Sequence, residues 1–211
     1  MVYQLERIER DVRVALDENG ISATLTGEGD TDALTLDEII RSKIEEGARI
    51  VESEAPTHLL DRGHNFGDAI YWRELESGYV LLPDDFMRLI AFRMSDWERT
   101  VYSAIGAGDA QYQRQSSRFK GVRGNCQKPV CAIVSRPEGL ALEFYSCKSR
   151  EAQVVEGVYL PYPRVDSDGG IEICERCYRG VVNMVAALVS TAIGEAERGS
   201  ALAEMAKRSL V

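Results

Sequence analysis

The chain has 211 residues, 45% of them hydrophobic and 28% charged, a globular composition that leaves no large part for disorder or low complexity and is long enough to bury its own core. A net charge of -9 argues against a general duplex-DNA binder, because that affinity rests largely on Lys and Arg neutralising phosphates, and it confines any nucleic-acid contact to a local patch. Five cysteines form an odd, widely spaced set rather than a disulfide framework, so a reducing site of synthesis is expected.

Residues 1–6 lack the basic start and apolar core of a signal peptide, and secretion by the usual route is not expected. From there Leu5, Ile8, Val12, Ala15 and Leu16 fall on one helical face, with charged residues on the others, and Asn19-Gly20 marks the expected stop. Residues 21–35 are polar, contain Gly27 and Gly29, and are expected to form a loop.

The second helix is signalled more sharply. Thr35-Leu36-Asp37-Glu38 fits a capping box, in which the threonine hydroxyl and the glutamate carboxylate satisfy amides that a helix start leaves unpaired. Leu36, Ile40, Ile44, Ala48, Val51 and Ala55 then share a face, and Pro56 stops the helix.

Beyond residue 60 the period shortens. Runs of strand-forming residues at 69–72, 79–82, 88–94, 98–104, 130–135, 140–146 and 154–160 are separated by turn signals such as Ser95-Asp96 and Arg136-Pro137-Glu138-Gly139. They predict a region of antiparallel hairpins. Between two of these runs stands Pro83-Asp84-Asp85. Adjacent side chains on a strand point to opposite sides, so two carboxylates at this spacing do not share a substrate readily, and a turn is the better account.

Helical spacing returns with Cys174, Tyr178, Val181, Val182, Val185, Leu188, Val189 and Ala192 after the break at Asp168-Gly169-Gly170, and a shorter helix follows over residues 195–210. The apolar run at 181–193 contains Asn183 and falls short of the roughly 20 residues a membrane span needs, so a soluble protein is expected. Helix, helix, strands, helix, helix is an α+β order: a single domain with a helical bundle body at about residues 1–60 and 170–211, interrupted by an antiparallel β-rich insertion at about 68–162.

Few motifs carry chemistry. No G-x-x-x-x-G-K-[ST], G-x-G-x-x-G or G-x-S-x-G occurs, so neither a common phosphate cradle nor a nucleophile elbow is expected, and no catalytic or cofactor-binding residue is assigned. Cys174-Glu175-Arg176-Cys177 matches C-x-x-C, yet no second pair completes a zinc site and no βαβ pattern surrounds it; buried small side chains are the simpler reading. His58 and His64 flank Asp61 without a recognised ligand spacing, so no metal ligand is assigned. One charge feature stands out: between Asp109 and Glu138 lie Arg114, Arg118, Lys120, Arg123, Lys128 and Arg136 and no acid, interleaved with Tyr112, Phe119, Gly121 and Gly124. A basic, glycine-containing loop can track a phosphate backbone or meet an acidic neighbouring subunit.

The order of elements, together with "SGYVLLPDDFMRLIAFRMSDW", "GNCQKPVCAIV", "GLALEFYS" and "YLPYP", resembles the head-to-tail adaptor proteins of tailed phages, especially the short-tailed type. The resemblance implies a non-enzymatic structural protein of the virion connector, made in the host cytoplasm and assembled on the portal as a twelve-copy ring. Its partners would be the portal and the next tail or ring protein, with DNA only passing through the lumen and no membrane or cofactor involved. Pro83, Asp84 and Asp85 would be a structural turn and Trp97 part of the turn back, while Arg114, Arg118, Lys120, Arg123 and Lys128 would contact subunits or portal. The long loop at 21–35 and the extra helix after Gly194 depart from small adaptors. The alternative is a small metal-binding or redox enzyme domain using Cys174 and Cys177 with His58 and His64.

Overall fold

The computed structural model describes residues 1–16 and 34–211; the expected stop at Asn19-Gly20 and most of the loop at 21–35 lie outside the described residues. The first elements are β1 (Val2–Gln4), α1 (Leu5–Ala15), α2 (Leu36–Glu54), β2 (His64–Asn65), β3 (Tyr71–Trp72), β4 (Gly78–Leu81) and β5 (Phe86–Met94). After them come β6 (Ile105–Gly106), α3 (Ala110–Arg114), β7 (Cys131–Arg136), β8 (Gly139–Phe144), β9 (Val154–Pro161), β10 (Gly170–Glu172), α4 (Tyr178–Ala192) and α5 (Ala196–Arg208). The protein is mixed α and β, its sheets mostly antiparallel. It divides into two units, Met1–Arg62 with Pro163–Val211, and Gly63–Tyr162.

In the first unit α4 packs against α1, α2 and α5. It is buried on nearly all sides, as an apolar helix with so few charges must be. Gly47 permits the close approach of α2, since a Cβ there would sit 2.6 Å from Val185 Cγ2. The start of α2 carries the expected capping box: the Glu38 amide donates to Thr35 Oγ1 at 3.3 Å and the Thr35 amide donates to Glu38 Oε2 at 2.7 Å. Strands β1 and β10 pair antiparallel, an element too short to show alternation in the sequence. Tyr3 on β1 stacks on Tyr178 at 4.1 Å between centroids.

The second unit contains a three-stranded sheet ordered β2-β9-β5 and a five-stranded sheet ordered β3-β4-β8-β7-β6. The β6–β7 pair is parallel, which departs from the all-hairpin expectation. The strand expected at 98–104 is also corrected. After the Ser95-Asp96 turn the Glu98 amide donates to the Cys126 carbonyl at 2.9 Å instead of to β5, which leaves one isolated bridge between Phe92 and Val101. Residues of both sheets, among them Val80, Phe92, Met94, Leu142 and Phe144, make one core.

Gly157 on β9 is held where no side chain fits, for a Cβ there would lie 2.3 Å from the Phe66 carbonyl oxygen. The Phe66 amide donates to the Gly157 carbonyl at 2.9 Å, so backbone would have to move. Gly157→Ala should lower stability by about 1–3 kcal/mol, the usual range for overpacking. Gly106→Ala, with open space at its Cβ, should be close to neutral. Urea midpoints followed by tryptophan fluorescence check the pair, and equal midpoints would contradict the packing argument.

Candidate interaction surface

The basic segment is an ordered loop hung on two amides. Asp109 caps the short α3, its Oδ1 accepting the Gln111 amide at 2.7 Å. Gln115 is buried behind it; its Nε2 donates to the Gln111 carbonyl at 2.9 Å and its Oε1 accepts the Gly124 amide at 2.8 Å. Asn125 closes the far end, donating to the Lys120 carbonyl at 2.9 Å and accepting the Gln127 and Lys128 amides at 3.0 Å. Gly124 is needed for this course, since a Cβ would meet the Val130 amide nitrogen at 2.9 Å.

What the loop shows to solvent is Arg114, Arg118, Lys120 and Lys128 around two apolar side chains, Phe119 at 75% and Val122 at 52% exposure. Arg123 does not belong to this face. It is 4% exposed and turned inward, its Nη2 donating to the Leu75 carbonyl at 3.1 Å, so its role as a surface contact is corrected. The spacing of charges along a loop carries no sign of which side chain faces in.

Behind the loop stands a cluster absent from the sequence reading. Glu143 on β8 is 3% exposed and accepts from Tyr145 Oη at 2.8 Å, Tyr112 Oη at 3.3 Å, Arg73 Nη1 at 3.0 Å and the Arg136 guanidinium. Burial, then the hydrogen bond to Glu143, pushes the Tyr145 hydroxyl well above its usual range; burial beside Glu143 also raises Tyr112. Arg136 lies 4.0 Å over the Tyr79 ring.

The remaining sequence candidates have structural partners. At Pro83-Asp84-Asp85 the Phe86 amide donates to the Pro83 carbonyl at 3.0 Å, which makes a turn. Asp84 is exposed, while Asp85 Oδ1 accepts the Tyr159 hydroxyl at 2.8 Å; burial and that bond push the Tyr159 hydroxyl up to about 12. The Trp97 amide closes the next turn onto the Met94 carbonyl at 3.1 Å, and its ring is buried against Phe92 at 5.8 Å.

Cys174 precedes and Cys177 ends the 3₁₀ turn Glu175–Cys177 before α4, and both are fully buried. The Cys174 amide donates to Glu52 Oε1 at 2.7 Å; the hydrogen bond between the two thiols, with burial, pushes Cys174 well up, and the same bond lowers Cys177 against the cost of its burial. His58 is exposed on the 3₁₀ turn Thr57–Leu59, and its carbonyl accepts from Arg176 Nη1 at 3.1 Å. His64 is on β2 and meets the Tyr159 ring edge-on at 5.8 Å. Among the described residues no group of three or more His, Cys, Asp or Glu side chains is gathered to hold a metal ion, and no helix is long and apolar enough to cross a membrane.

Compared with known proteins, the chain matches no family model, and no curated protein gives a significant match.

Proposed function

We propose that this protein is a non-enzymatic structural component of a tailed-phage connector, a ring-forming adaptor between portal and tail. The observation that carries the reading is the order of elements: a two-sheet unit, Gly63–Tyr162, falls in the chain between α1–α2 and α4–α5, which pack on one another. In this reading Met1–Arg62 with Pro163–Val211 is the helical bundle body, and the Phe119 loop of the β unit is a contact to a neighbouring copy or to portal. A ring needs a heterologous interface, one patch meeting a different patch on the next copy. An apolar tip flanked by Arg118, Lys120 and Lys128 suits an acidic partner face, and a chain of net charge -9 supplies acidic surface in every copy. The same excess of acid would let DNA pass through a lumen without sticking.

Light scattering after size exclusion, on the protein alone and mixed with the portal and tail proteins encoded beside it, tests the role. Recruitment into a ring-sized complex is the expected result. A protein that stays small in the presence of both would overturn it. Within that assay, reversing Arg118, Lys120 and Lys128 to glutamate, or replacing Phe119 with alanine, should weaken assembly about tenfold or more, the scale of an interface hot spot. Unchanged assembly with both variants would remove the loop from the interface.

A further inference from the structure

Between the loop and the five-stranded sheet is a recess of about 290 Å³, lined in part by Arg73, Ser77, Tyr112, Gln115, Arg123 and Glu143. We infer that this recess is a binding site for one carboxylate group, carried by a small organic acid or by an acidic side chain of a partner protein. The inference does not depend on the adaptor reading.

Charge is the first reason. Arg73 and Arg136 both pair with the single carboxylate of Glu143, and Arg123 lines the recess beside Arg73, so the lining holds two guanidinium groups to one carboxylate that a third arginine already shares. A buried cation is costly unless paired, and the deficit here is of negative charge. Hydrogen bonding is the second. Arg123 is 4% exposed, its Nη2 is held by the Leu75 carbonyl, and its Nε has no partner among the described residues. The unmet Nε leaves this buried guanidinium short of an acceptor.

Size and geometry then narrow the ligand. A volume near 290 Å³ is at the bottom of the range for small-molecule sites, too small for a nucleotide or a folded segment and sufficient for a group of side-chain size. Guanidinium forks match a planar carboxylate through two parallel hydrogen bonds. The hydroxyls of Tyr112 and Tyr145 are turned to Glu143, as is Arg73, which leaves Arg123 as the lining guanidinium with no ion pair among the described residues.

Isothermal titration of the full chain at low salt, with glutarate as the free acid and a short Glu-containing peptide as the side-chain source, tests the site. Saturable binding of either probe is expected, weakened at least tenfold in Arg73→Gln, a half-exposed position whose loss leaves Glu143 its other partners. Arg123→Gln should do the same, and circular dichroism will show whether that variant folds; Arg73→Gln keeps the test decisive if it does not. Binding of glutarate identifies a small acid, and binding of the peptide alone identifies a partner's side chain. Binding of neither, binding indifferent to Arg73→Gln, or inorganic phosphate bound tenfold more tightly than both would overturn the assignment.

Discussion

Glu52→Ala should destabilise the helical unit by about 3–5 kcal/mol, the cost of breaking a buried ion pair by removing one partner. Glu52 is fully buried on α2, and Arg62, with its side chain 6% exposed, donates to it through Nη2 at 2.6 Å and Nε at 3.3 Å. Burial opposes the charge on Arg62, but the hydrogen bond and the charge of Glu52 outweigh it and raise the guanidinium above its usual range. Alanine removes the closer partner of a buried cation, which keeps Glu172 at 3.7 Å, and takes the acceptor from the Cys174 amide as well, so the loss is expected at the lower end of that range. Against a total stability of about 5–15 kcal/mol, such a loss brings the unit close to unfolding at ordinary temperature. Urea denaturation followed by far-ultraviolet circular dichroism reads it. The Glu52→Leu/Arg62→Met double variant should cost less than Glu52→Ala, since it removes the buried cation together with its closer partner and the remaining penalty is the roughly 1–3 kcal/mol of an unsatisfied amide. A single-variant cost below about 1 kcal/mol would show the pair to be far less buried in solution than here.

Glu52 also shows where the sequence could be read further. Leu36, Ile40, Ile44 and Ala48 advance by four residues on the buried face of α2, and the next step of that series is Glu52. A carboxylate on an apolar stripe signals a buried partner. Arg62 is ten residues on, past a helix stop, and no periodicity links the two. The capping box, by contrast, was legible because all its parts fall within four residues. The long strands were legible for a similar reason: β5, β7, β8 and β9 carry enough consecutive strand-forming residues to declare themselves, whereas β1, β2 and β6 of two or three residues do not.

The same limit hid the recess. Glu143 is in a central strand, paired with Tyr79 of β4 on one side and Ala132 of β7 on the other, and its side chain is enclosed on its face of the sheet. Tyr145 is two residues on and Arg136 is across the β7–β8 hairpin, but Arg73, just after β3, and Tyr112, on α3, reach it only through the tertiary fold. Arg123 read as one basic residue among six because nothing local distinguishes it; the inward turn of the chain, fixed by Gln115 and Gly124, makes the difference.

Phe144→Ala should cost the β unit about 3–5 kcal/mol, at the upper end for a core aromatic, because its neighbourhood cannot close over the gap. Phe144 is fully buried opposite Gly78 on β4, where a Cβ would lie 2.7 Å from its ring; glycine has no side chain to move into the space that alanine would leave. The ring also meets Trp72 at 5.5 Å, Phe92 at 6.1 Å and Trp97 at 6.3 Å, so its loss forfeits three aromatic contacts. The chain has two tryptophans, and both touch Phe144, so their fluorescence reports the β unit while helical circular dichroism reports chiefly the other. A fluorescence midpoint lowered in urea is the expected result, and an unchanged one would contradict the cavity argument. The second probe then measures how the units are coupled: a helical signal that shifts with the fluorescence means they unfold together, and one that stays in place means the β unit melts alone. Glu52→Ala makes the reciprocal measurement from the helical side. A cooperative chain must give the same answer in both directions, because two probes of one two-state transition share one midpoint.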